Sequence, residues 1–178
     1  MNPDIALLYF LNNFAGKSQI FDALTIFFAS YLQYVFVAAF LLLLYFSAHA
    51  KHEKRSFFWT VALASIIARL GITEIIRFFY HRPRPFFVYQ LHLLIINNAW
   101  SFPSCHAAFL FATATAIYLY HRKWGIWFFA GAMLVGISRV AAGAHYPSDV
   151  LGGMIVGILT AHLTFYLAKG RFKKYLAP

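Results

Sequence analysis

Cysteine occurs once in this 178-residue chain, at Cys105, so no disulfide forms within it and the cysteine count does not report a redox compartment. Acidic residues are almost as scarce, with five Asp and Glu against fifteen Lys and Arg. Catalytic metal pairs usually draw on several carboxylates, so that shortage argues against one. Charge of either sign is sparse: 11% of residues are charged, against about 25% in ordinary soluble domains. Internal repeats and low-complexity stretches are absent as well, which excludes solenoids and linker-rich arrays.

What is present is apolar. Hydrophobic residues make up 62% of the chain, aromatics 20%, and the mean hydropathy is +0.67. Long apolar runs broken by short polar links predict an all-α integral membrane protein and not a barrel, whose strands alternate polar and apolar. The expectation is one domain over 1–178, a bundle of five to six transmembrane helices with a short N-terminal interfacial helix.

Asp4 to Phe14 carries a helical apolar stripe too short to cross about 30 Å of hydrocarbon. Ahead of it there is neither a basic region nor a cleavage site, so no removed signal peptide is expected. Spans are predicted over about Phe21–Phe46, Phe57–Phe79, Ser104–Tyr120, Trp124–Ala142 and Ser148–Ala168, with the charged stretch His49–Arg55 as a loop. Pro83 and Pro85 end the second span. The segment Phe86–Trp100 reads as a lid or surface helix.

Five alternating spans bring three polar stretches to one side: Arg77–Pro85, Ala99–His106 and Ser138–Asp149. The other side receives Lys51, Lys54, Arg55, Arg122, Lys123, Lys169, Arg171, Lys173 and Lys174. The positive-inside rule then puts the three stretches on the extracytoplasmic face. The same rule accounts for the net charge of +10, so nucleic acid is not an expected partner.

Arg77, Arg84 and Arg139 meet only Glu74 and Asp149 as nearby acids on that face, and half-buried cations near lipid need an anion. Phosphate suits guanidinium forks. In the plainer alternative Arg77 pairs with Glu74 one turn away; for Arg82 a place among lipid headgroups is the preferred reading. His145 and Asp149, four residues apart, put imidazole and carboxylate within reach, leaving the other ring nitrogen as a nucleophile. His106 lies in the first turn of a span, where free amides favour an anion. No metal or other cofactor is expected, with a single zinc on His106, His145 and Asp149 as the lesser alternative. An anion transporter is the alternative of another class, against which the charges gather at one face and not at a midplane site.

In their order and spacing, R-x6-R-P (Arg77, Arg84, Pro85), P-S-x-H (Pro103, Ser104, His106) and S-R-x5-H-x3-D (Ser138, Arg139, His145, Asp149) resemble the three-part signature of the type 2 phosphatidic acid phosphatase family of membrane lipid phosphatases. The family usually has lysine where this chain has Arg77, and glycine where it has Cys105. The resemblance implies a metal-independent phosphatase acting through a phosphohistidine. In it His145 attacks phosphorus, Asp149 orients His145, and His106 protonates the leaving oxygen. Arg77, Arg84, Ser104, Cys105 and Arg139 hold the phosphoryl oxygens, with Glu74, His81 and Arg82 in support. Within the family the chain looks like the bacterial undecaprenyl diphosphate phosphatases, which recycle the carrier lipid of cell-wall synthesis. That implies a multi-pass protein of the bacterial inner membrane with a lipid (di)phosphate substrate. Phosphatidylglycerol phosphate, phosphatidate and lipid A phosphate fit the same features.

Overall fold

A computed structural model describes residues 2–48 and 50–175, with side chains through 169. His49 and the side chains of Arg171, Lys173 and Lys174 lie outside the described residues. Every regular element described is helical. In hydrocarbon the backbone must satisfy its own hydrogen bonds, and a helix does so within one segment.

Four helical stretches are long and apolar enough to cross a membrane: Gln19–Phe46, Lys51–Phe79, Arg122–Ala141 and Pro147–Lys169. The first is α2 (Gln19–Ile26) and α3 (Leu32–Phe46) joined by a π-helical turn, Phe27–Tyr31. The second is α4 (Lys51–Ile66) and α5 (Thr73–Phe79), likewise joined by a π-helical turn, Ile67–Ile72. The others are α8 (Arg122–Ala141) and the start of α9 (Pro147–Tyr175). Within the charged link expected to be a loop, Lys51–Arg55 instead open α4, because Lys, Glu and Arg are strong helix formers.

At the centre stands α7 (Cys105–Tyr120), sixteen residues and shorter than its neighbours. It is buried along nearly its whole length, against α9, α8 and α4. Small residues let these backbones approach, as membrane helices require in the absence of a hydrophobic drive between them. A Cβ on Gly153 would lie 2.5 Å from the Ser104 carbonyl oxygen, and one on Gly157 2.5 Å from that of Ala108. Ser65 Oγ and Thr113 Oγ1, 2.8 Å apart, tie α4 to α7.

α1 (Pro3–Asn12) is the expected short helix, capped by Asn2 and docked on α8 and α9 through buried Leu8 and Asn12. Asn12 Nδ2 donates to the carbonyls of His92 and Ala141, each at 2.8 Å, and Oδ1 accepts from His92 N–H. The segment expected as a lid or surface helix holds a single helical turn, α6 (Pro85–Val88); beyond it the chain runs irregularly across the end of the bundle.

Candidate active site

The chain reverses between α8 and α9 in a Schellman turn. Gly143, at φ +74°, donates its N–H to Val140 O, and Ala144 donates to Arg139 O at 3.1 Å. The left-handed φ is what glycine alone adopts at little cost. The turn sets Arg139 in the last turn of α8 and His145 just beyond it, both fully or almost fully buried.

His145 and Asp149 face each other, Nδ1 to Oδ2, at 3.3 Å and with 0% exposure of either side chain. Arg84 Nη1 approaches Nε2 at 3.3 Å. Guanidinium has no acceptor and carboxylate no donor, so Nδ1 carries the proton and Nε2 the lone pair. Burial, opposed by the Asp149 hydrogen bond and aided by the charges of Arg139 and Arg84, holds the imidazole down to about 3. His145 is therefore neutral at physiological pH, as a nucleophile must be.

Arg84 lies against that nitrogen, Arg139 acts on His145 by its charge, and Arg77 and Arg139 both act on Arg84. Arg84 donates from Nε to Ala99 O at 2.6 Å and from Nη1 to Ala144 O at 2.9 Å. Arg77 reaches Glu74 at 3.0 Å and the Pro103 carbonyl at 3.0 Å. Arg139 makes one long bond, 3.5 Å, to Ala29 O in the first π-helical turn. Burial, then Arg139 and Arg77, lower Arg84 to about 10, so these like charges lie close together. Four of their buried nitrogens, Arg77 Nε, Arg84 Nη2 and Arg139 Nε and Nη2, find no acceptor among the described residues. Each such donor costs about 1–3 kcal/mol, and four approach the whole stability of a small domain, about 5–15 kcal/mol. An anion answers both the charge and the donors. The pairing of Arg77 with Glu74 is thus present, and it leaves Arg77 Nε over.

Ser104 caps α7: its Oγ accepts from Ala107 N–H at 3.5 Å, and its own N–H donates to Asp149 O at 3.0 Å. Its amide is therefore committed to scaffold. The first intrahelical bond of α7 is Ala108 N–H to Ser104 O, so the amides of Cys105 and His106 precede the ladder and point out of the helix N-terminus. Cys105 stands at negative φ with its side chain half-buried, so a Cβ is accommodated where the family usually has glycine. His106 is buried beside it, Nδ1 3.5 Å from Sγ, within electrostatic reach of Arg139, Arg69, His145 and Arg84.

Two supporting residues sit otherwise than expected. Arg82 is not among headgroups: it bonds Asp149 Oδ1 at 2.7 Å and Asp4 Oδ2 at 2.9 Å, with its guanidinium 3.9 Å from the Tyr146 ring. It is thereby committed to protein carboxylates. His81 is exposed and packs on Trp100, ring centroids 4.8 Å apart. Arg69, one turn and a half before Glu74 in the same span, bonds Gln33 Oε1 at 3.1 Å. Among the described residues no three His, Cys, Asp or Glu side chains gather as a metal site would need.

Sequence reasoning missed Ser101 and Asp4. Ser101 is fully buried and its hydroxyl donates to Asp149 Oδ2. Asp4 joins Arg82 to Ser148, accepting from Ser148 N–H at 2.8 Å and Oγ at 2.6 Å. The one signal for Asp4 was its being an acid in a chain with only five.

Known proteins give the arrangement a family context. The family model described as the PAP2 superfamily matches residues 58–173. "Undecaprenyl-diphosphatase BcrC" of Bacillus subtilis (strain 168) is 31% identical over 94% of this chain and 83% of its own length. The crystal structure of Aquifex aeolicus LpxE superposes with a TM-score of 0.68 at 27% identity, covering 91% of this chain and 94% of that one. At 22% identity and a TM-score of 0.61, the structure titled the first transmembrane PAP2 type phosphatidylglycerolphosphate phosphatase, from Bacillus subtilis, shares the fold over 98% of this chain and 86% of its own.

Proposed function

The chain belongs to the PAP2 superfamily and is a membrane lipid phosphatase, and on that footing we propose that it hydrolyses undecaprenyl diphosphate to undecaprenyl phosphate through a phosphohistidine, without a metal. The observation that carries this is the set of four unpartnered guanidinium nitrogens beside a neutral His145 whose Nε2 bears the lone pair. The choice of lipid rests on the likeness, over 94% of this chain and 83% of the relative's length, to a protein named undecaprenyl-diphosphatase. A phosphatidylglycerol phosphate substrate is the second reading, favoured by 34% identity over 110 residues to the protein named "Phosphatidylglycerophosphatase B" of Bacillus subtilis (strain 168).

In this mechanism Arg77, Arg84 and Arg139 grip the equatorial oxygens of the terminal phosphoryl group, with the first amides of α7 beside them. His145 Nε2 attacks phosphorus; the bond from phosphorus to the bridging oxygen breaks, and its electron pair goes to that oxygen. His106 gives the departing oxygen a proton. A water then attacks the phosphohistidine, passing its proton back to His106, and inorganic phosphate leaves. The site lies on the extracytoplasmic face of the inner membrane.

The test is phosphate release from a panel of lipids, with acid-labile label followed from a substrate labelled on its terminal phosphate. The expected result is preference for undecaprenyl diphosphate, unaffected by EDTA, with covalent label in the wild type. His145→Ala should abolish both turnover and label while remaining folded. Full turnover in that variant overturns the mechanism; an absolute preference for a glycerolipid phosphate overturns the substrate.

A further inference from the structure

Asp149 is a fully buried carboxylate, and both of its oxygens are occupied. Oδ2 accepts from His145 Nδ1, the Ser101 hydroxyl and Tyr146 N–H; Oδ1 accepts from Arg82 Nη1. Arg82 controls both sides of this pattern. Its side chain holds Oδ1, and its carbonyl accepts from Ser101 N–H at 2.9 Å, fixing the residue whose hydroxyl holds Oδ2. Arg82 Nη1 also donates to Ser148 Oγ at 2.7 Å, and Nη2 donates to Asp4. Asp4 holds the first turn of α9 as well, through Ser148. Asp4 belongs to α1, so the N-terminal helix reaches Asp149 through one guanidinium.

We propose that Asp4 and Arg82 form with Asp149 a carboxylate–guanidinium–carboxylate chain that keeps His145 neutral and correctly turned, making α1 a positioning part of the active site. This rests on the reading of His145 as nucleophile. A buried carboxylate with an imidazole as its main partner draws a proton onto that imidazole, and imidazolium has no lone pair to attack with. Arg82 takes up the charge at Oδ1, so Oδ2 need only orient Nδ1–H. Asp4 holds the guanidinium in place and balances it, since an arginine in contact with one carboxylate alone is freer to swing toward phosphate. Both terminal nitrogens of Arg82 are spent on protein acceptors, whereas Arg84 Nη2 and Arg139 Nη2 find none among the described residues, and in Arg77, whose terminal nitrogens are also bonded, Nε is the one left over.

The charged and titratable groups facing this unit come from every element around it. Arg84 from the link after α5, Arg139 from α8 and His106 from α7 act on His145; Asp4 from α1 and Tyr146 ahead of α9 act on Arg82, and Tyr89 acts on Tyr146. Of these, Arg82 alone bonds Oδ1.

The experiment compares the full chain in detergent micelles with Arg82→Gln, Asp4→Asn, Asp4→Glu and His145→Ala, by phosphate release from undecaprenyl diphosphate between pH 4 and 9. Partners one layer behind a reacting group cost on the order of ten- to a hundredfold when removed. Arg82→Gln should lower kcat by that much with KM little changed, and should move the acid limb of kcat/KM to higher pH. Asp4→Asn should do the same less strongly, with Asp4→Glu restoring most of the rate. If KM rises while kcat holds, Arg82 is a substrate contact and the proposal falls. It falls equally if activity per folded molecule and the acid limb stay at wild type while Tm drops. Should Arg82→Gln not fold, the two Asp4 variants carry the same comparison. Full activity of His145→Ala would remove the underlying reading instead, whereas an inactive His145→Ala beside wild-type Arg82 and Asp4 variants removes this proposal alone.

Discussion

Arg84 divides one guanidinium between scaffold and site: Nε and Nη1 bind the carbonyls of Ala99 and Ala144, Nη1 also approaches His145 Nε2, and Nη2 is left without an acceptor among the described residues. Lysine keeps the charge but has a single nitrogen and cannot span those directions. Arg84→Lys should therefore lower kcat/KM by roughly a hundredfold, about 2.7 kcal/mol, as loss of one preorganised donor typically does; rates within a few-fold of wild type would count against the grip. The same neighbours fix the pH response of His145. Its reactive form is neutral and burial holds it down to about 3, so the acid limb of kcat/KM should break well below the ordinary histidine value of about 6.5. The unfolded chain binds this proton between about 3 and 6.5 and the folded one does not, so stability falls as pH falls through that window. A profile breaking at 6.5 would show an exposed imidazole. Spacing in the sequence brought Arg77, Arg84, His106, Arg139, His145 and Asp149 to notice, because each belongs to a short polar interval in an apolar chain. Asp4 was invisible to that logic: it lies about 145 residues from Asp149, and no periodicity connects a first-turn acid in α1 to a guanidinium bridging two other elements.

Between helices the decisive contact is the α7–α9 seam. Gly153 and Gly157 present bare backbone to Ser104–Ala112, and the nearest atoms to a Cβ on Gly157 are the Ala108 carbonyl oxygen at 2.5 Å and the Ala112 nitrogen at 2.7 Å. Backbone cannot rotate away, so Gly157→Ala must push the two helices apart. α7 carries His106 and the phosphate-facing amides; α9 carries Asp149 and, ahead of it, His145. The substitution should thus destabilise by about 1–3 kcal/mol as overpacking does and lower kcat in the protein that still folds, read by thermal unfolding and turnover. Unchanged Tm and kcat would mean the seam is looser than these distances. Five helices were legible because hydropathy and charged links survive in any window of the chain. The two π-helical turns were not: an extra residue in a helical turn leaves the composition of the span unchanged, and only Arg139 reaching Ala29 O betrays what one of them does.

Across the whole molecule the signature residues gather at one end and most of the remaining Lys and Arg of the described residues at the other. Asn12, His92 and Ala141 meet at the site's end; Ser56, Thr60 and Tyr120 meet at the far end. Lys51, Lys54, Arg55, Arg122, Lys123 and Lys169 flank that far end, while among the described residues Lys17 is the one lysine or arginine near the site's end outside the signature region. The far end carries the larger share of Lys and Arg close to the span ends, so it should face the cytoplasm. Because Cys105 is the only cysteine, single reporters can be read in a Cys105→Ala background. Asn98→Cys, exposed on the segment crossing the site, should react with a membrane-impermeant maleimide in intact cells, and Lys123→Cys only after lysis. The reverse pattern would turn the site inward and remove outward-facing lipid diphosphates as its substrates, while leaving the chemistry of His145 untouched.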